Sequence, residues 1–498
     1  MGYFHSLKTI HYMKRVLTAL FTSGVVCVFA QSGPKPDAYA KTISAADMKK
    51  HLYTLASPEM EGRETGTEGQ RKAAAYIENY VKSLGLQPGN GSSYQMPYNL
   101  YQDSLISAAL EVNGKAFELN KDFAASPGGP QSIYRLSEVT LIGTGATDSL
   151  KSADLAGKAV MIVGTISQNF FAQLNRKSPA VVLTVSANFP RTGTANNRGR
   201  QGIHAFKASV DPVFFQVSEA VARAIAGDKY DAVKASSSSV QKAKTELLLD
   251  TKKATVVLPA SDVIAFLPGT DLKDQYLVFS AHYDHLGMRN GVLFPGADDD
   301  GSGTVGVLEI AEAFAKAAKE GKGPRRSIVF LWNSGEEKGL LGSEWYTDHP
   351  VYPLDKTTAD LNIDMIGRSD PDRKPDTLNY VYVVGDDKLS SDLKPISESI
   401  NNKYTKLQLD YKYNDPNDKE RIYFRSDHYN FARYGVPIIF YYDGMLRPDY
   451  HKPSDTPDKI NYDLMQKRAQ LVFYTGWEMA NRDAMLKRDI PLNVPTGF

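Results

Sequence analysis

Hydrophobic residues from about Ser261 onward alternate between short continuous runs and longer stretches with helical spacing. Continuous apolar runs of this length are typical of strands that are buried on both faces of a sheet. They predict strands over 276–281, 327–332, 359–366, 379–384 and 436–442, and the helical spacing predicts helices over 303–318 and 464–479. Strands that alternate with helices indicate an α/β fold in which helices flank a mostly parallel central sheet.

The chain before this region changes pattern twice. Helices are predicted after the N-cap residue Ser44 and over 67–84, within residues 42–97. Between residues 98 and 257, short β-like runs alternate with turns, and His and acidic residues form no cluster in the sequence. We therefore predict that residues 98–257 are a mainly β domain, inserted into a catalytic domain that is formed by residues 42–97 and 258–490.

The first 30 residues have the pattern of a secretion signal. Lys14 and Arg15 precede an apolar run over 16–30, which is shorter than the roughly 20 residues that a membrane span needs. Cleavage is predicted after Ala30, so that the mature chain is secreted or periplasmic and is not stably inserted in a membrane. A lipoprotein anchored through Cys27, the single cysteine, is the lesser alternative. The mature chain then lacks cysteine, so any metal must be held by His and carboxylates.

The net charge of the chain disfavours two classes of binding partner. The 498 residues include 58 basic and 57 acidic side chains, and the formal net charge is +1. No global field therefore favours binding to nucleic acid or to an anionic membrane.

Candidate chemistry follows the predicted strands, where the functional groups of parallel sheets gather. The candidates are, in chain order, His282, Asp284, Asp299, Glu336, Glu337, Asp364, Tyr450 and His451. Each one alone could be an ordinary polar group at a strand end, and a solvated loop would explain the acidic run 298–300. Two motif alternatives fail. The spacing around 298–307 does not fit an EF-hand, and three acids beside the G-x-G-x-x-G match over 301–306 disfavour a dinucleotide.

The residue types nevertheless suit a metal site. In a pair such as His282 and Asp284, one residue can bind a metal while the other orients the ligand ring. Of two adjacent glutamates, one can bind the metal while the other takes the proton of a metal-activated water. Asp364 is predicted within an apolar strand, where a carboxylate is costly to bury unless it is paired or bound to metal.

Five motifs carry a family resemblance. In chain order they are AHYDH, PGADDDGSG, GEEKGLLGS, NIDMIG and YHKPSDT, and they extend from Ala281 to Thr456. In this order they resemble the co-catalytic zinc aminopeptidase family, which also contains glutamate carboxypeptidases and glutaminyl cyclases. Residues 58–67 resemble the family's N-terminal segment, and the middle block around 154–158 resembles the protease-associated domain that these enzymes often carry. The resemblance therefore covers most of the mature chain.

The resemblance implies a zinc exopeptidase fold and two zinc ions per chain. Its ligand set is His282 and Asp364 on one zinc, Glu337 and His451 on the other, and Asp299 as the bridge, often followed by a cis peptide. It further implies that Glu336 is the general base and acid, that Asp284 orients His282, and that Tyr450 stabilises the oxyanion. The expected activity is that of an aminopeptidase acting on peptides.

Two other functions stay open at this point. A carboxypeptidase or dipeptidase would use the same chemistry, and Arg421, Arg425 and Arg447 near the late motifs could bind a substrate carboxylate. A non-catalytic binding protein on the same scaffold would have lost metal ligands, whereas all five positions are filled here.

Overall fold

The structure is a computed structural model that describes residues 35–126, 129–190, 198–205, 212–374 and 378–492. The predicted secretion signal, residues 1–30, lies outside the described residues. Within the described ranges, no helix is long and apolar enough to cross a membrane.

Three groups of helices and strands follow one another along the chain. The N-terminal helices are α1 (Asp37–Ala40), α2 (Ala45–Leu55) and α3 (Glu68–Ser83). The middle part contains β1 (Gln87–Pro88), β2 (Gln95–Val112), β3 (Lys115–Phe117), β4 (Phe123–Ser126), β5 (Gln131–Gly143), α4 (Thr147–Ser152), β6 (Ala159–Val163), α5 (Gln168–Asn175), β7 (Val181–Val185), β8 (Arg198–Gly202), β9 (Val213–Val217), α6 (Glu219–Ala226), α7 (Asp228–Ala235) and β10 (Val240–Leu267). The C-terminal part contains β11 (Leu272–His282), β12 (Gly287–Arg289), β13 (Val292–Phe294), α8 (Gly303–Lys319), β14 (Arg326–Asn333), α9 (Leu341–Asp348), β15 (Thr357–Ile363), β16 (Tyr380–Val384), α10 (Leu393–Lys403), β17 (Gln408–Asp410), α11 (His428–Arg433), β18 (Ile438–Tyr442) and α12 (Tyr462–Asn481).

The C-terminal part has the predicted α/β architecture. Strands β14, β11, β15 and β18 are consecutive parallel neighbours, while β10 and β16 add antiparallel strands on either side. Along β11, Leu277 and Phe279 face the core shared with α2, α3, α8 and α12, and Val278 faces the core beneath α9 and α11. Helices therefore cover both faces, and the predicted fold class is confirmed.

The helix termini follow the local sequence. Ser44 Oγ accepts a hydrogen bond from the Asp47 backbone N–H at 3.1 Å, which caps α2 as its sequence predicts. Helix α3 is followed by Gly85 at φ 78°, a conformation that favours glycine.

The middle part has its own sheet and its own core. Strands β5, β6, β7 and β9 are parallel, and α6 and α7 pack on one face while α4 and α5 pack on the other. The segment thus contains helices as well as the predicted strands. Strand β10 pairs with β2 and β5 and then continues into the central sheet, where it pairs with β14. The boundaries predicted at 97/98 and 257/258 lie within β2 and β10, and the division into domains stays a prediction.

One expected strand is shorter than the hydrophobic pattern indicates. Strand β15 ends at Ile363, so Asp364 lies just beyond the strand instead of inside it. The apolar run continues because Met365 and Ile366 are buried against neighbouring elements, not because they pair in the sheet. Asp364 is therefore placed at the carboxyl edge of the sheet.

Candidate metal centre

The predicted ligands converge at the carboxyl edge of the central sheet. His282 ends β11, Glu337 follows β14, Asp364 follows β15 and His451 lies in the loop after β18. Asp299 comes from the turn that precedes α8. Because these strands are parallel neighbours, their carboxyl ends lie side by side, and residues far apart in sequence meet there.

The first group is centred on His282. Its Nε2 lies 3.3 Å from Asp299 Oδ1, 3.6 Å from Asp364 Oδ1 and 3.8 Å from Glu336 Oε2. His282, Glu336 and Asp364 offer ligand atoms that all lie within 4.8 Å of one another. Distance alone therefore does not separate Glu336 from the metal ligands of this group.

The second group is centred on Glu337. His451 Nε2 lies 3.0 Å from Glu337 Oε2 and 3.1 Å from Asp299 Oδ2. His285 Nδ1 lies 2.7 Å from Glu337 Oε1 and 3.8 Å from Asp299 Oδ2. Asp299 thus directs one carboxylate oxygen to each group, as a bridging ligand would.

The three consecutive aspartates have different tasks. Asp298 Oδ1 accepts hydrogen bonds from Ser302 Oγ and from the Gly367 backbone N–H, and Asp300 accepts from the N–H groups of Gly303 and Met365. Both side chains are therefore used in holding backbone. Only the middle residue, Asp299, turns its carboxylate to the histidines, and the Asp299–Asp300 peptide is cis, as the resemblance implies.

Asp284 links the first group to the segment over 58–67. Its Oδ1 lies 3.6 Å from His282 Nδ1 and accepts the Glu336 backbone N–H at 3.2 Å. Its Oδ2 accepts a hydrogen bond from Thr65 Oγ1 at 2.6 Å. The same hydroxyl oxygen accepts the Gly335 backbone N–H at 2.9 Å, so Thr65 connects both loops.

Arg63 donates hydrogen bonds to the loops that carry the candidate ligands. Its buried guanidinium donates to the carbonyl oxygens of Leu55, Tyr283, Pro295 and Gly296 at 2.7–2.9 Å. Tyr283 follows His282 directly, and Gly296 opens the turn that carries Asp299. One side chain therefore ties the N-terminal helices to two ligand-bearing loops.

The charged side chains of the cluster shift one another's pKa values. Burial and Asp299 raise the pKa of Glu337, but His285 and His451 outweigh them and lower it to about 2. Burial lowers the pKa of His451, whereas Asp299 and Glu337 outweigh that effect and raise it to about 10. Burial raises the pKa of Glu336 well above its ordinary value, and the neighbouring Glu337 adds to the shift.

The donor set fits divalent zinc. Imidazole nitrogens and carboxylate oxygens are its usual ligands where cysteine is absent. Several of these atoms are buried without an aligned hydrogen bond, namely His282 Nε2, His285 Nδ1, His285 Nε2, Asp299 Oδ2 and Glu337 Oε1. Buried polar atoms are rarely left without partners, and converging ones are what a bound cation requires.

Comparisons with known proteins agree with this geometry. Residues 262–476 match the sequence profile described as Peptidase family M28, and this range contains every predicted ligand. Residues 262–476 are a peptidase family M28 domain. The resemblance read from the five motifs is confirmed.

Relatives of the M28 domain include named aminopeptidases. Aminopeptidase YwaD of Bacillus subtilis is 24% identical over 515 residues and covers 95% of each chain. A probable leucine aminopeptidase of Arthroderma otae is 32% identical over 222 residues, which are 43% of this chain and 57% of that protein. The chain thus spans 57% of the length of the first relatives it matches.

Two solved structures have the same fold. The aminopeptidase from Aneurinibacillus sp. strain AM-1 has a TM-score of 0.57 at 19% identity, covering 92% of this chain and 99% of that one. BSAP, a zinc aminopeptidase from Bacillus subtilis, has a TM-score of 0.55 at 19% identity, covering 90% and 99%.

A pocket opens beside the candidate metal ligands of the M28 domain. Asp299, Glu336 and Asp364 line it together with apolar side chains, Tyr450 and Arg425. Tyr450 stacks on His451, with ring centroids 3.9 Å apart, and its hydroxyl accepts a hydrogen bond from Arg425 Nη2 at 3.2 Å. Tyr450 therefore reaches the pocket beside the second metal group.

Three residues of this site had no role assigned from the sequence. His285 was visible in the AHYDH motif, and Arg63 and Thr65 lie in the segment over 58–67. Their residue types alone gave no reason to prefer them over ordinary polar groups. Their importance depends on contacts across more than 50 residues of chain, which no local pattern indicates.

Proposed function

We propose that this chain is a secreted aminopeptidase that uses two zinc ions to remove N-terminal residues from peptides. The observation that carries the proposal is the position of Asp299, which lines the pocket and whose two carboxylate oxygens lie 3.3 Å from His282 Nε2 and 3.1 Å from His451 Nε2. The names of the relatives support the choice of aminopeptidase. Secretion rests on the predicted cleavage after Ala30.

His282 and Asp364 would hold one zinc, Glu337 and His451 the other, and Asp299 both. When bound, the two ions supply Lewis-acid polarisation and make a nucleophilic water available at neutral pH. His285, at 2.7 Å from Glu337 Oε1, would hold that carboxylate in place.

Glu336 is the residue we assign to proton transfer. It lines the pocket, so its carboxylate can take a proton and return it to the leaving amine. Asp284 contacts both His282 and Glu336, because its backbone carbonyl lies 3.1 Å from His282 Nδ1 and its carboxylate accepts the Glu336 backbone N–H. Tyr450, held by Arg425, would donate a hydrogen bond from its hydroxyl to the developing oxyanion.

The pocket favours an amine over a carboxylate near the metals. Glu336, the lining acid that we assign to no zinc ion, would accept a hydrogen bond from a substrate's N-terminal amine. A carboxypeptidase or dipeptidase is the second candidate, favoured by Arg425 in the same pocket. A non-catalytic binding protein is disfavoured because all predicted ligands converge.

The experiment is hydrolysis of aminoacyl p-nitroanilides by the zinc-loaded chain. Glu336→Gln should retain two zinc ions and lower kcat by about 10²- to 10⁴-fold. The matched control is Glu68→Gln on the exposed surface of α3, which should keep full activity. A fully active Glu336→Gln chain would refute the assigned mechanism, and a chain that retains no zinc after metal loading would favour the binding protein.

A further inference from the structure

Arg425 has an unusual place in the pocket beside the metal cluster. Among the described residues that line this pocket, it is the one cation, and Met365, Ile422, Phe440 and Leu446 form much of the remaining wall. An apolar wall alone would suit a neutral side chain. A guanidinium in the same wall adds a specific requirement for a negative group.

The position of Arg425 is built into the fold. It follows the short helical turn Ile422–Phe424, and its backbone N–H donates to the Ile422 carbonyl at 3.1 Å. The next residue, Ser426, is buried and accepts a hydrogen bond from Asn362 Nδ2 at 2.9 Å on strand β15. The backbone at Arg425 is therefore anchored to the central sheet through Asn362, which lies two residues before Asp364.

The guanidinium retains donors that can turn to a ligand. It has five N–H donors, of which Nη2 donates to Tyr450 at 3.2 Å. The nearby carboxylate of Glu420 lies 4.0 Å from Nη1 and is 56% exposed. Exposed ion pairs at such distances contribute little to stability. A carboxylate in the pocket would therefore compete well with Glu420 for the free N–H groups of the guanidinium.

We propose that Arg425 binds the side-chain carboxylate of an N-terminal Glu or Asp residue, so that the enzyme removes acidic residues from peptides. This inference rests on the proposed aminopeptidase activity. An N-terminal acidic residue carries an ammonium and a carboxylate a few bonds apart. The pocket offers Glu336, the lining acid that we assign to no zinc ion, for the amine, and one guanidinium for the carboxylate.

The neighbouring pocket provides a matched control. A second pocket shares Arg425, Leu446 and Tyr450 with the first, and it also contains Arg447. Arg447 is absent from the lining of the pocket beside the metals. Substitution of Arg447 therefore removes the same charge as substitution of Arg425, but it leaves in place the group that we assign to substrate recognition.

The test compares Glu- and Gln-p-nitroanilide, which have nearly the same shape and differ in charge. The wild-type chain should prefer the Glu substrate. Arg425→Met also removes the hydrogen bond to Tyr450, so kcat/KM should fall on both substrates, but the fall should be about 10- to 100-fold larger on the Glu substrate, the effect of one or two charged hydrogen bonds. Arg425→Lys should recover part of the loss, because it keeps the charge without the fork. Arg447→Met should leave the Glu-to-Gln ratio unchanged.

Three results would overturn the inference. The first is a wild-type preference for Gln, and the second is an equal fall on both substrates, which would mean that Arg425 acts only by positioning Tyr450. The third is an effect of Arg425→Met on Leu-Gly but not on Leu-glycinamide or the Glu substrate, which would assign the arginine to a peptide's C-terminal carboxylate.

Failure of the proposed function is separable from failure of this inference. A zinc-loaded chain that cleaves no anilide would refute the aminopeptidase. Calorimetry with free glutamate and glutamine would then decide the role of Arg425 in the Glu336→Gln background. Glutamate binding that Arg425→Met abolishes would support carboxylate recognition, and equal binding of the two amino acids would overturn it.

Discussion

Arg63 offers the sharpest test of how the N-terminal segment supports the metal centre. Its side chain is 1% exposed and donates four hydrogen bonds to backbone carbonyls, at 2.7, 2.8, 2.7 and 2.9 Å. Arg63→Met keeps much of the volume but removes the donor of all four bonds, although the Gly296 carbonyl still accepts the Gly301 N–H at 3.2 Å.

The magnitude follows from the bonds that are lost. Hydrogen bonds to charged groups contribute about 1.5–3 kcal/mol each, so four would amount to roughly 6–12 kcal/mol if they were additive. Relaxation of the loops makes the loss smaller, and we expect at least about 4 kcal/mol, the range of exceptional substitutions. Arg63→Lys should restore part of it, since an ammonium cannot reach all four carbonyls.

The assay is urea unfolding followed by tryptophan fluorescence, together with zinc retention after dialysis. All three tryptophans, Trp332, Trp345 and Trp477, lie in the C-terminal part, so the signal reports on that part. Zinc affinity should fall as well, because Arg63 holds the carbonyls beside two ligand-bearing loops. The control is Arg71→Met, where the arginine is 51% exposed and pairs with the exposed Glu68, and we expect the free energy of unfolding to change by less than about 0.5 kcal/mol. An Arg63→Met chain within about 1 kcal/mol of the parent, below the cost of even one lost charged bond, would refute the reasoning.

Two other predictions concern the buried Glu309 and the metal itself. Burial raises the pKa of Glu309 to about 8, with Glu312 and Asp47 adding to the shift and His51 3.8 Å away. Because the folded pKa exceeds the unfolded value of about 4.3, the free energy of unfolding should fall by about 1.4 kcal/mol per pH unit between those values. Glu309→Gln cannot ionise, so urea titrations should find its stability relative to the parent rising from pH 5 to pH 8, and a constant difference would contradict the shift. Chelation of the metal-loaded chain should lower Tm and abolish hydrolysis, because ligands that bind the folded state stabilise it by about 2.7 kcal/mol at 100 times Kd. Scanning calorimetry with zinc added back should recover both, and an unchanged Tm would argue against a metal in the cluster.

Much of the fold and of the site could be predicted from local pattern. The apolar runs that became β11 and β14 are short and continuous, which is how strands covered on both faces read in a sequence. His282, Asp299 and Glu337 stood out because each lies in a motif directly after a strand or before a helix, and the order of those motifs matched one family. The predicted position of Asp364, inside a strand, was wrong, because the buried residues Met365 and Ile366 continue the apolar run beyond the end of β15.

The sequence by itself determined the strands of the central sheet in the C-terminal part, the helices α8 and α12, and the residue types at their ends, since hydrophobic periodicity and motif spacing are local properties. Only the tertiary structure decided which of those ends share a site. His285 meets Glu337, Thr65 meets Asp284, and Arg425 meets Tyr450, and each contact depends on parallel strands placing distant loops side by side. The strand β10 likewise joins two cores that the sequence separates. Such contacts arise from packing across long stretches of chain, so no window of neighbouring residues encodes them.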